Sequence, residues 1–174
     1  RLQSLSVCNA NLTDETGIYF ANTLYMNHTL QRVDLSNNFI GNKVAEQVAI
    51  GLRANSVLLE LNLCNNCISY DGARHLSSAM DKNETLRVLN LESNLIQDDA
   101  GALLLSMFRE LKSLRALRLL GNPTSHVILD AIEAIGIFRS SSDIAMIENK
   151  ISCLPNISIS PECLSTKNWK NYKD

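Results

Sequence analysis

The sequence predicts an α/β fold, a right-handed solenoid arc with short parallel strands on the concave face and helices on the convex face. Two observations lead there. Leu2, Leu30, Leu58, Leu86 and Leu114 stand 28 residues apart without a slip, and each opens the same apolar-x-x-apolar-x-apolar pattern. The second half of each unit then changes from strand alternation to helical spacing. A strand–helix unit of this size cannot bury its apolar side alone, so successive units must stack.

The strands read Leu2/Leu5/Val7, Leu30/Val33/Leu35, Leu58/Leu61/Leu63, Leu86/Leu89/Leu91 and Leu114/Leu117/Leu119. Eight residues after each leading leucine come Asn38, Asn66, Asn94 and Asn122, with Ala10 the exception in the first unit. This asparagine ladder sits where the chain leaves the strand and bends. Side-chain amides there can pair backbone groups that the bend leaves unsatisfied, so the ladder is structural. The helices show inward faces at Val44, Val48 and Leu52, at Ala73, Leu76 and Met80, and at Ala100, Leu104 and Phe108. Asp14, Asn42, Ser69 and Asp98 are candidate N-caps, and Thr124 or Ser125 plays that part for a fifth helix from His126 to about Arg139. That helix keeps an inward face at Ile128, Ile132 and Ile135, with Gly136 in place of a large residue.

Five repeats therefore occupy residues 1–141. In 142–174 the pattern decays: Ile144–Ile147 reads as a degenerate sixth strand, and Pro155 and Pro161 forbid a long helix. The end of the chain, with Trp169 and Tyr172 among lysines, reads as a cap over the last repeat or as a partner-binding tail. At the other end nothing precedes Leu2 to cover an apolar edge, so a longer parent protein is expected.

The segments VDLSNNFI (Val33–Ile40), LNLCNNCI (Leu61–Ile68) and LNLESNLI (Leu89–Ile96) resemble leucine-rich repeats. The 28-residue length with a full helix resembles the ribonuclease-inhibitor-like subclass. That subclass includes ribonuclease inhibitor, the activating protein of the Ran GTPase, the sensor regions of NOD-like receptors and several axonemal proteins. The resemblance implies a non-catalytic scaffold that binds another protein. Its alternatives are a regulatory sensor region of a NOD-like receptor, a small-GTPase-activating array, or an axonemal or cytoskeletal scaffold.

Composition narrows the function classes. With 16 Lys and Arg against 18 Asp and Glu, no global field steers the chain toward nucleic acid or anionic lipid. No apolar run approaches the ~20 residues of a membrane helix. Five cysteines, at 8, 64, 67, 153 and 163, are an odd number, which argues against a closed disulfide framework and for an intracellular, reducing compartment. Four sequons begin at Asn11, Asn27, Asn83 and Asn156. Asn27 and Asn83 precede a leading leucine, where Asn55 also sits without a sequon, so a turn role is expected.

Catalytic constellations are absent. Cys64-Asn-Asn-Cys67 is a lone CxxC without the second pair a zinc site needs. His28, His75 and His126 fall in three different repeats, and Asp98–Asp99 favours a helix start through the dipole. Neither a metal nor a cofactor is implied. The expected working surface is the concave face, whose rows run Ser4, Arg32, Glu60, Val88, Ala116, then Ser6, Asp34, Asn62, Asn90, Arg118, then Cys8, Ser36, Cys64, Glu92, Leu120. Arg32, Asp34, Glu60, Asn62, Asn90, Glu92 and Arg118 make it a mixed-charge patch suited to reading a protein surface.

Overall fold

Short strands whose apolar residues alternate, followed by helices with one apolar face, can satisfy both elements only by lying side by side with their neighbours. A computed structural model, which describes residues 2–140, has this arrangement. The order is β1 (Ser4–Ser6), α1 (Asp14–Met26), β2 (Arg32–Asp34), α2 (Asn42–Ala54), β3 (Glu60–Asn62), α3 (Tyr70–Met80), β4 (Val88–Asn90), α4 (Asp98–Glu110), β5 (Ala116–Arg118) and α5 (His126–Ser140). The five strands form one parallel sheet in sequence order. Each residue pairs with the one 28 positions on, so Leu5, Val33, Leu61, Leu89 and Leu117 form one row. The sixth strand expected at Ile144–Ile147, the cap or tail, Cys153, Cys163 and the Asn156 sequon lie outside the described residues.

The core is one continuous seam between sheet and helices. Leu58, Leu61, Leu63 and Ile68 from the third unit are buried, as are Leu76 and Met80 from its helix. Each such side chain contributes roughly 2–3 kcal/mol by leaving water. The inward helical positions are equally covered: Val44, Val48, Leu52, Ala100, Leu104 and Phe108 show no exposure. The first unit differs. Leu2 is 60% exposed, and Leu5 and Val7 are only half-buried, because no described strand lies on the outer side of β1.

The helix starts correct one expectation. The N-cap residues are Thr13, Gly41, Ser69 and Gln97, so Asp14, Asn42 and Asp98 are the first helical residues and not caps of their own helices. Their side chains reach instead to the next unit. Asp14 Oδ1 accepts from Gly41 N–H at 2.8 Å, Asn42 Oδ1 from Ser69 and Gly72 N–H at 2.9 and 3.0 Å, and Asp98 Oδ1 from Ser125 N–H at 2.6 Å. A helix-start donor is satisfied from the neighbouring repeat, since stacking brings a carboxylate or amide closer to it than its own turn does. Gly72 accommodates this approach, as a Cβ there would stand 2.7 Å from Asn42 Oδ1.

Each strand exit turns through a left-handed residue at the same repeat position, and the first exit has a second at Asn11, φ 53°. Asn9, Asn37, Asn65 and Ser93 have φ of 54°, 56°, 53° and 53°, and Gly121 has φ 77°. Asparagine and glycine tolerate that region best, and four of the five positions carry one of them.

Candidate functional site

Two asparagine ladders hold the frame on which any site must sit. In the strand-exit ladder, Asn94 Oδ1 accepts from Ile68 N–H at 3.0 Å, and its Nδ2 donates to Leu63 O at 2.9 Å and to Leu91 and Glu92 O at 3.1 Å. Asn38, Asn66 and Asn122 repeat the pattern, each binding the preceding unit and its own turn. Ala10 has no amide to reach back with. The second ladder lies at the helix ends. Asn55 Nδ2 donates to Leu24 and Asn27 O at 2.9 Å, and Asn83 Nδ2 donates to Leu52 O at 2.7 Å and Asn55 O at 3.0 Å. Asn83 is buried with both amide hydrogens used, so this sequon nitrogen lies inside the folded array. At the matching position of the last unit stands Arg139. Its guanidinium donates to Phe108 and Leu114 O and stacks 4.2 Å from the Phe108 ring centre.

The concave rows separate into exposed and engaged residues. Arg32 and Glu60 are exposed and adjacent in register, and Arg118 is exposed at the far strand. The middle row is largely engaged by local bonds. Asp34 Oδ1 accepts from Ser36 N–H at 2.9 Å and Asn62 Nδ2 at 3.0 Å, Asn62 Oδ1 from Cys64 N–H at 3.0 Å, and Asn90 Oδ1 from Glu92 N–H at 2.9 Å. Asn90 Nδ2 also donates to Glu92 Oε2 at 3.2 Å. Asp34, Asn62 and Asn90 thus brace the strand exits through a side chain that bonds the backbone two residues on. Arg32, Glu60 and Arg118 keep their charged ends toward solvent.

The remaining polar candidates do not converge. Cys8, Cys64 and Cys67 are free thiols. Burial, then the nearby Glu92 and Asp34 carboxylates, push the Cys64 thiol pKa up, which disfavours the reactive thiolate. Among the described residues no group of three or more His, Cys, Asp or Glu is placed to hold a metal ion, and no helix is long and apolar enough to cross a membrane.

One surface escapes a reading of the strands alone. The residue after each ladder position is Asn11, Phe39, Cys67, Leu95 or Pro123. The N–H groups of Phe39, Cys67 and Leu95 donate to Leu12, Ile40 and Ile68 O at 2.8, 2.8 and 2.9 Å, a second parallel ladder along the strand-exit edge. Pro123 has no N–H to give. Thr124 Oγ1 donates to Ile96 O in its place, at 2.8 Å. The side chains of this row point outward: Phe39 is 60% and Leu95 54% exposed. The sequence signal was present, because an apolar residue between a buried asparagine and a buried isoleucine has to face out.

Comparison with known proteins accords with this architecture. A family model described as Leucine Rich repeat matches residues 27–46, 54–77 and 82–105. No curated protein sequence matches the chain. Among solved structures, the leiomodin-1 actin-binding site 2 domain is similar at TM-score 0.65 and 19% identity, covering 86% of this chain and 84% of that one. The tropomodulin C-terminal domain of Caenorhabditis elegans is similar at TM-score 0.64 and 12% identity, covering 80% and 84%. At these identities the likeness is one of fold.

Proposed function

We propose that this leucine-rich-repeat protein of the ribonuclease-inhibitor-like kind is a non-catalytic scaffold whose concave face holds another protein. The observation that carries the reading is the placement of exposed Arg32, Glu60 and Arg118 on strands held in register by two asparagine ladders. Side chains on such a frame lose little freedom on binding, so less of the contact energy goes into ordering them. Asp34, Asn62, Asn90 and Glu92 contribute the polar floor of the face. The repeat array spans residues 1–141 in this reading, and 142–174 is a separate terminal segment. An intracellular location fits the three free thiols of the described residues.

The test is capture of partners from a lysate by the full chain, compared with Glu60→Lys and Arg32→Glu. Loss of a captured protein with either variant, at unchanged circular dichroism, supports the concave face. Capture unaffected by both removes it. A cytoskeletal scaffold is the alternative that the neighbours raise, since the similar leiomodin-1 domain is an actin-binding site. Co-sedimentation with filamentous actin separates the two: a pelleted fraction that falls with Glu60→Lys supports actin as the occupant, and none above background removes it.

A further inference from the structure

The strand-exit edge carries an exposed apolar row. Buried positions on either side of it, Asn38 and Ile40, Asn66 and Ile68, Asn94 and Ile96, hold the core and the ladder. Between them Phe39, Cys67 and Leu95 face water, and Pro123 extends the row at the last strand exit. Solubility alone would favour polar residues there. Acidic residues stand at the adjoining helix starts: Asp71 at the start of α3 and Asp98 and Asp99 at the start of α4 are exposed. Lys43 is the one exposed cation at the neighbouring helix start of α2.

From this we infer a second docking surface, separate from the concave face, for a basic amphipathic helix of a partner protein. Spacing favours a helix over an extended segment. Neighbouring units in the ladder are roughly 4.8 Å apart. Helical residues at i, i+3 and i+4 advance roughly 4.5–6 Å, which keeps apolar side chains in step with Phe39, Cys67 and Leu95. Same-face residues of a strand advance roughly 6.6 Å and fall out of step within three units. The carboxylates of Asp71, Asp98 and Asp99 select lysine or arginine on the flank of the bound helix that faces them, by charge complementarity.

The test uses the full chain and a fluorescent amphipathic peptide with leucines at every third or fourth position and lysines elsewhere, followed by anisotropy. A scrambled peptide of the same composition is the control. The expected result is binding of the patterned peptide only, weakened about tenfold or more by the pair Phe39→Ser and Leu95→Ser, as for loss of central apolar anchors. Should that pair fold poorly, Asp71→Lys with Asp99→Lys is the second variant, expected to weaken binding and flatten its salt dependence. Glu60→Lys is expected to leave the affinity unchanged, which keeps this surface distinct from the concave one. Equal binding of the scrambled peptide, full affinity in both pairs, or a loss with Glu60→Lys overturns the inference. So does self-association of the chain that Phe39→Ser and Leu95→Ser abolish, because a second copy would then be the occupant.

Discussion

A buried amide that serves two repeats at once is the most consequential residue type in this chain. Asn94 takes the Ile68 N–H and donates to carbonyls of two units, so truncation leaves a buried donor without a partner. Asn94→Ala is expected to cost about 3 kcal/mol, read as a fall in the urea midpoint at constant slope. Asn65 is the contrast, being exposed, left-handed and bonded to the neighbouring Asn37 Oδ1 at 2.8 Å. Asn65 and its neighbour Asn66, which is buried and bonded as Asn94 is, therefore do different work. The 28-residue spacing of the ladder was readable from the sequence, and so was a structural part for the buried column. The inter-repeat bonds that Asp14, Asn42 and Asp98 make were not, because a cap to one's own helix and a bond to the next repeat look the same along the chain.

At the scale of elements, each strand-to-helix connection is a small circuit of backbone bonds, and the fifth shows how it tolerates a missing donor. Pro123 breaks the ladder and Thr124 mends it with a hydroxyl. Thr124→Val is expected to lower stability by about 1–2 kcal/mol, because Ile96 O loses its hydroxyl donor. Adding Pro123→Ala is expected to recover part of that loss by restoring an N–H at the ladder position. Denaturation of the two single variants and the double variant checks this, and additive effects would show that the hydroxyl does not stand in for the amide. Strands and helices themselves were legible because each carries its own period. The engaged state of Asp34, Asn62 and Asn90 was not, since an alternating polar residue reads as solvent-facing until the turn two residues on folds back to meet it.

For the whole molecule, stability passes between neighbours, so it should be lowest where a unit has one neighbour. Amide exchange is expected to be slowest in β3, which pairs on both sides, and fastest among the strands in β1, whose Leu5 and Val7 are half-buried. Equal protection of β1 and β3 by exchange mass spectrometry would contradict that order. The periodic leucines by themselves determined the stacked strand–helix architecture and the concave rows, because an apolar stripe recurring every 28 residues has one economical way to leave water. Tertiary structure alone decided which polar side chains bridge repeats and which stay exposed on the concave face. Those outcomes depend on atoms 26 to 31 residues apart coming within bonding distance, and only the stacked array brings them there.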